Sequence, residues 1–197
     1  MNAAVHASEE AAVESGHFVQ FYKEESTLLA EVSRYFHTAL RTGHTGILIA
    51  RAGLIDALRI ELHRAHVDGD PFGPDRGELV TLDAQATLDK FMVQGWPDEE
   101  RFAQSVGQLV KHHTRGGRKV AAYGEMVALL CEQGRHEAAI RLENLWNQLL
   151  ERHTFSLFCA YPVRLFSDRG GVSALQAVCV AHTRVIQTEA RQPAYRR

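Results

Sequence analysis

Short apolar segments alternate with longer amphipathic segments along this chain, and this alternation restricts its fold more than any other feature. Segment 46–50, GILIA, is apolar at every position, which is typical of a strand buried on both faces of a sheet. Strands that alternate with helices form βαβ units, and hence parallel sheets. The apolar segments predict strands at 17–22, 46–50, 78–83, 119–123 and 155–162.

Apolar residues spaced three and four positions apart predict helices between these strands. After the first strand, Leu28, Val32, Phe36 and Leu40 share one helical face, and Gly43 ends the pattern. The predicted fold is a three-layer α/β fold with helices on both faces of a mostly parallel sheet of five or more strands. The expected helices span 26–42, 53–66, 87–93, 97–115 with Pro97 in its first turn, 125–133, 137–152 and 172–187.

The composition favours one domain with a substantial core. Of the 197 residues, 45% are hydrophobic and 23% are charged, which excludes global disorder. We expect a flexible leader at 1–16, a single domain at 17–189 and a short basic tail at 190–197, with no separate output domain.

Charge and cysteine usage exclude several classes of partner. The formal net charge of −2, without any Lys/Arg-rich run, argues against nucleic-acid binding. No apolar run reaches the ~20 residues that span a membrane, and the first residues lack the pattern of a signal peptide. Cys131, Cys159 and Cys179 are odd in number and widely spaced, which argues against a disulfide framework and favours the cytoplasm.

A carboxylate stands where a central strand passes into a helix. Strand 119–123 runs into Gly124, and Glu125 follows at once. Ligands of open α/β sheets bind beyond the carboxyl ends of the strands, so Glu125 is expected to line a pocket there. Tyr22, Tyr123, Cys159 and Tyr161 also lie at or near predicted strand ends. A second interpretation is that Glu125 only caps its helix or forms a salt bridge, for example with Arg118, Lys119 or Arg141.

Motifs for nucleotide binding and for hydrolysis are absent. No G-x-x-x-x-G-K-[ST] or G-x-G-x-x-G occurs, and KEEST after the first strand has no glycine to surround a phosphate. We therefore expect no ATP as a cofactor. No G-x-S-x-G or H-E-x-x-H occurs either, so no catalytic residue is predicted. An enzyme that uses Glu125 as a general base stays open as a lesser alternative.

The predicted helix at 137–152 carries polar residues at the edge of its apolar face. Trp146 lies on that face, while Glu143 and Asn147 lie one turn apart at its edge. These side chains would suit a small-molecule pocket, which is mostly apolar with a few fixed polar groups. Ordinary boundary polar residues of an amphipathic helix explain the pattern equally well.

Cys179 and His182 share one helical face and, with Cys159 and His17, would suit a soft metal ion. One C-x-x-H pair is weak evidence. A buried cysteine beside a hydrogen-bonded histidine is the favoured interpretation, so no metal site is predicted.

Several motifs together resemble the MEDS domain, the sensory domain of methanogen and methylotroph proteins and of the DcmR regulator. They are HFVQFY, TLDAQATLDKFMVQGWPDEERF, YGEMVALLCEQGRHEAAIRLENLWN, FSLFCAYP and CVAHTRVIQTE, in this order over about 17–189. Gln187 departs from the family, where proline is common at this position. The resemblance implies a RecA/KaiC-like core without a phosphate-binding loop.

The resemblance also implies a function and a set of polar residues. Family members are thought to sense small hydrocarbon derivatives and to act on histidine kinases, anti-sigma regulators or DNA-binding domains. The typical polar residues of the family correspond to His17, Tyr22, Tyr123, Glu125, Glu143, Asn147, Cys159, Tyr161, His182 and Glu189.

From these observations we expect a cytoplasmic, stand-alone sensory domain, not an enzyme. It would bind a small, mostly apolar organic ligand at the carboxyl ends of the strands and signal through a histidine kinase or anti-sigma regulator, with a homodimer left open. A ligand-free interaction module in such a pathway is the alternative. The predicted ligand-binding residues are His17, Tyr22, Tyr123, Glu125, Glu143, Trp146, Asn147, Cys159, Tyr161 and His182.

Overall fold

The structure, a computed structural model, describes residues 14–64, 77–167 and 169–186. Some predictions lie outside the described residues. They concern the expected leader up to residue 13, the turn-rich segment before residue 77, Glu189 and the basic tail.

Within the described residues, an all-parallel sheet of six strands forms the centre of the fold, with strand order β3-β2-β6-β7-β1-β8 as the strands are numbered below. This confirms the predicted α/β class and the mostly parallel sheet. The strands are β1 Gly16–Tyr22, β2 Thr45–Ala50, β3 Leu79–Asp83, β6 Val120–Gly124, β7 Ser156–Pro162 and β8 Arg184–Ile186; a separate hairpin is formed by β4 Met92–Val93 and β5 Trp96–Pro97.

Helices cover both faces of the sheet, which makes the three predicted layers. Helices α1 and α2 pack on one face, and helices from α3 onward pack on the other. The helices are α1 Glu25–Arg41, α2 Ala52–Arg64, α3 Ala84–Asp89, α4 Glu99–Phe102, α5 Gln108–His113, α6 Met126–Glu132, α7 His136–Arg152 and α8 Arg169–Ala181, with a π-helical turn at Ala103–Gly107 between α4 and α5.

Strand side chains alternate between two apolar cores, because successive residues of a strand point to opposite faces of the sheet. In β1, Phe18 and Tyr22 join the core under α1 and α2. Val19 joins the core under α7 and α8, and His17 faces the same side because it contacts Asn147 of α7. The parity of a strand position therefore decides which helices a polar side chain can meet.

The prediction for 87–93 and for Pro97 was wrong. Helix α3 ends at Asp89, and Pro97 lies in the hairpin instead of a first helical turn. The hairpin turn is made by Gln94 and Gly95, both with positive φ, which the twist of a two-residue hairpin requires. The next helix begins after Asp98, whose carboxylate accepts a hydrogen bond from the backbone N–H of Arg101 at 2.9 Å.

The last helix ends at Ala181, and the predicted helical continuation to 187 was wrong at Arg184–Ile186, which form β8. Thr183 makes the connection, because its backbone N–H and its hydroxyl each donate to the carbonyl of His17 at 2.8 Å. Helical periodicity could not reveal this strand, because its partner is the edge of β1, distant in sequence.

Two glycine substitutions should shift stability in opposite directions. A Cβ atom at Gly46 in β2 would lie 2.9 Å from Leu79 Cδ1 and 2.9 Å from Phe36 Cδ1, whereas a Cβ at Gly53 in α2 meets no heavy atom of the described residues within 4 Å. We expect Gly46→Ala to lower the free energy of unfolding by about 1–3 kcal/mol through overpacking. Gly53→Ala should raise it by about 0.5–1 kcal/mol through better helix propensity. Urea denaturation measures both, and shifts of the same sign would contradict the described packing.

Candidate functional site

The structure divides the predicted site residues among four places. Tyr22 and Tyr123 lie in the core under α1 and α2, and Glu125 lies at the carboxyl edge of the sheet. Trp146 packs in the opposite core. The remaining residues form one buried cluster between the sheet and helices α7 and α8: His17, Glu143, Asn147, Cys159, Tyr161 and His182.

At the carboxyl edge, Glu125 forms an ion pair with Arg51. Because β2 and β6 are neighbouring parallel strands, the residues that follow them leave the sheet side by side. Arg51 Nε donates to Glu125 Oε1 at 2.7 Å, and the backbone N–H of Arg51 donates to Oε2 at 2.7 Å. Glu125 is only 2% exposed. Its partner is therefore Arg51, rather than Arg118, Lys119 or Arg141, which the sequence suggested.

The ion pair continues into a network that covers this edge. Arg51 Nη1 donates to Glu132 at 3.0 Å, and Arg164 donates to the other oxygen of Glu132 at 3.1 Å. Burial raises the pKa values of the Tyr22 and Tyr123 hydroxyls, so both stay protonated. Within the described part of the chain, this network occupies the place where the sequence predicted a ligand.

Trp146 is part of the apolar core. Its ring contacts Phe102 edge to face at a centroid distance of 5.3 Å and lies 6.3 Å from Phe155. It is 1% exposed and lies below Gly124, where a Cβ would be 3.6 Å from the indole. Trp146 therefore supplies packing between α7, α4 and β6.

Glu143 is the centre of the buried cluster, with no exposed surface. Tyr161 donates its hydroxyl to Glu143 Oε1 at 2.5 Å. His17 Nε2 lies 3.2 Å from Oε2, His182 Nε2 lies 3.5 Å from Oε1, and Cys159 Sγ lies 3.8 Å from Oε2. Sequence reasoning placed each of these residues in one site, and the structure brings them together beneath α7 instead of at the strand ends.

The cluster combines an ionised carboxylate with a protonated thiol and a protonated hydroxyl. Burial alone would raise the pKa of Glu143, but His182, His17 and the hydroxyl of Tyr161 outweigh it and lower the pKa from 4.5 to about 2. Burial lowers the pKa of His182, and the negative charge of Glu143 opposes this shift. Burial, reinforced by the charge of Glu143, raises the pKa values of the Cys159 thiol and the Tyr161 hydroxyl.

The donor atoms of the cluster are close enough to share one metal ion. One atom each from His17, Glu143, Cys159 and His182 can be chosen so that all lie within 4.8 Å of one another. Cys179, which the sequence paired with His182, is not in this group, and Glu143 takes its place.

A groove of about 650 Å³ lies along helices α7 and α8, and sequence reasoning did not find it. Its walls come from the β4–β5 turn, the first turns of α7 and the first half of α8. Trp96 lines it and is 44% exposed, an unusual position for a tryptophan. The sequence feature that could have indicated the groove is Trp96, which directly follows the tight turn at Gln94–Gly95.

The comparison with known proteins identifies one family. A family model described as MEthanogen/methylotroph, DcmR Sensory domain, abbreviated MEDS, matches residues 16–183, which is most of the chain. The match begins at β1 and ends at Thr183, next to His182 of the buried cluster. None of the curated proteins matches the chain.

The Arg51–Glu125 pair should contribute more to stability than the neighbouring contact of Glu132. Glu125→Gln removes the charge from two buried acceptor oxygens, and we expect a loss of about 1.5–3 kcal/mol in the free energy of unfolding. Glu132→Gln is the matched control, because that side chain is 21% exposed. Its loss should stay below about 1 kcal/mol, as for partly solvated ion pairs. Urea denaturation of both variants measures the difference. Equal losses in the free energy of unfolding would contradict the burial of the Arg51–Glu125 pair.

Proposed function

The chain belongs to the MEDS family of sensory domains, and on that premise we propose that it binds a small, mostly apolar organic ligand and signals through a partner protein. The ligand would be a short hydrocarbon derivative, and the partner a histidine kinase or anti-sigma regulator in the cytoplasm. The proposed role is non-catalytic and needs no ATP. In the described part of the chain, no helix has the length and apolar character that crossing a membrane demands.

The observation that supports ligand binding most strongly is the groove beside Trp96. Its volume of about 650 Å³ falls within the range of about 300–1,000 Å³ that small-molecule sites occupy. One wall comes from α8, which follows the carboxyl end of β7, and ligands of open α/β sheets bind beyond such ends. Arg51 and Glu125 fill the space between the ends of β2 and β6, so the groove is the better candidate.

The groove walls indicate the chemistry of the ligand. Trp96, Ile140, Ala174 and Ala177 offer apolar surface, and the small side chains leave room for a short carbon chain. The polar groups of the wall include Arg135, Glu137 and Ser173. Because Arg135 and Glu137 carry opposite charges, the wall favours a neutral polar group over an ion. An alcohol, ketone or alkyl halide fits this description.

Signal output would use the helices that form the groove. Helices α7 and α8 pack against each other, and α8 leads through Thr183 into the edge strand β8. A ligand in the groove would favour one spacing of these helices, and differential affinity for two spacings is what a sensor requires. Val180 is 86% exposed and Val185 is 42% exposed, so this segment presents apolar side chains to a partner.

The same exposed valines support the second candidate function, a ligand-free interaction module. Such a module would use the surface of α8 and β8 without any change on ligand addition. The two functions therefore differ in whether occupancy of the groove alters this segment.

Filling the groove should abolish ligand binding. We expect n-butanol, butanone or n-butyl chloride to raise the thermal midpoint of unfolding. At a ligand concentration a hundredfold above Kd, the free energy of unfolding should rise by about 2.7 kcal/mol. Ala177→Phe should remove this shift, because Ala177 lines the groove. Val180→Phe on the same helix should retain it, because Val180 is 86% exposed and outside the groove lining. Differential scanning fluorimetry measures the midpoints.

Two further readouts make this test decisive. Native mass spectrometry of freshly purified protein should show an organic mass that Ala177→Phe lacks and Val180→Phe keeps. Hydrogen exchange in α8 and β8 should slow when the probe binds. Binding that survives in Ala177→Phe would contradict the groove, and unchanged exchange in α8 and β8 would favour the ligand-free module.

A further inference from the structure

The buried cluster around Glu143 brings metal-binding atoms together from separate parts of the fold. His17 comes from β1, Glu143 from α7, Cys159 from β7, and His182 from the residue after α8. Their exposed fractions are 1%, 0%, 0% and 8%, so these polar groups are withdrawn from water. Burying such groups is costly unless each finds a partner.

The spacing of the donor atoms fits a tetrahedral metal ion. Zinc bonds of about 2.0–2.3 Å at tetrahedral angles place neighbouring ligand atoms about 3.3–3.6 Å apart. His17 Nε2 lies 3.2 Å from Glu143 Oε2 and 3.4 Å from Cys159 Sγ. His182 Nε2 lies 3.5 Å from Glu143 Oε1, and Cys159 Sγ lies 3.8 Å from Oε2. The four donor atoms span up to 4.8 Å, so the widest pair would draw together by about 1 Å when the ion binds.

The outer nitrogens of both histidines are already held as hydrogen-bond donors. Asn147 Nδ2 donates to the carbonyl of Ala181 at 2.9 Å, so its Oδ1 faces His17 and accepts from Nδ1 at 2.8 Å. His182 Nδ1 lies 2.6 Å from the carbonyl of Val178, which can only accept. In the neutral rings, each Nε2 therefore carries a lone pair that points into the cluster.

Without a cation, the cluster leaves an acceptor without a donor. His182 Nε2 is buried and has no hydrogen-bond partner among the described residues. Within the same part of the chain, the only basic side chains that pair with Glu143 are the two histidines. A thiol proton on Cys159 can serve one acceptor, His17 Nε2 or Glu143, and His182 Nε2 stays unpaired.

We propose that His17 Nε2, His182 Nε2, Cys159 Sγ and a carboxylate oxygen of Glu143 form a closed, tetrahedral binding site for Zn²⁺. The ion would accept both lone pairs and replace the thiol proton of Cys159, which leaves to solvent. A carboxylate, a thiolate and two neutral imidazoles then balance the two positive charges, so the buried site carries no net charge. Nitrogen and sulfur donors exclude Mg²⁺ and Ca²⁺, which prefer oxygen ligands.

Neighbouring groups would hold the ligands in place. Asn147 orients His17, the carbonyl of Val178 orients His182, and the hydroxyl of Tyr161 orients the carboxylate of Glu143. Such outer contacts fix the tautomer and position of metal ligands. With all ligand positions supplied by protein, the site would be structural and would tie α7 and the end of α8 to the sheet. It is independent of the organic ligand proposed above, since either can be present without the other.

Metal titration of the full chain tests the site directly. Protein freed of metal with a chelator should bind one equivalent of Zn²⁺, shown by native mass spectrometry, and should release the thiol proton on binding. Co²⁺ in its place should give the intense visible bands of a tetrahedral ion and a thiolate-to-metal charge-transfer band. These spectra need no variant, so they remain decisive even where a substitution prevents folding.

Cysteine variants identify the thiolate. Cys159→Ser should lose the charge-transfer band and weaken Zn²⁺ binding at least tenfold, whereas Cys179→Ser should leave both unchanged because Cys179 lies outside the donor group. Asn147→Ala should weaken binding about 10–100-fold while the charge-transfer band stays, as expected for an outer contact of a metal ligand.

Two results would overturn the proposal. The first is no stoichiometric binding of Zn²⁺ or Co²⁺ by folded, metal-free protein. The second is a charge-transfer band that survives in Cys159→Ser and disappears in Cys179→Ser. Neither result bears on the groove beside Trp96, whose ligand is recognised by an organic mass instead of a metal mass.

Discussion

The carboxylate of Glu143 is fully removed from water, and the packing of α7 and α8 on the sheet depends on it. A buried charge of this kind persists only where neighbouring groups compensate it. Here Tyr161, His17 and His182 all converge on it, from two strands and the end of α8. The register of β1 against β7 and the position of α8 are therefore coupled through one side chain of α7.

The carboxyl edge of the sheet follows a different physical rule. Arg51 and Glu125 leave adjacent strands side by side, and their opposite charges close the space between β2 and β6. The accessible groove lies elsewhere, along the first turns of α7 and the first half of α8.

Helices α7 and α8 connect both sites. The first turns of α7 and the first half of α8 line the groove, while Glu143 in the middle of α7 and His182 just beyond α8 belong to the buried cluster. A change in the spacing of these helices would alter the contacts of the cluster, because its side-chain atoms lie only 3.2–3.8 Å apart. A metal ion there would hold one end of the helix pair fixed, so that movement is concentrated at the groove and at the exposed face of α8.

The sequence by itself determined the class of fold, the family and most of the elements, because apolar periodicity is a local property that strands and helices share across proteins. It also selected His17, Glu143, Cys159, Tyr161 and His182 as polar residues with a common role. Tertiary structure decided the rest. Strand parity places Tyr22 and Tyr123 on the opposite face of the sheet, and Glu125 pairs with Arg51. Residues 184–186 form a strand because they pair with the edge of β1. These outcomes depend on contacts between residues distant in the chain, which no local pattern contains.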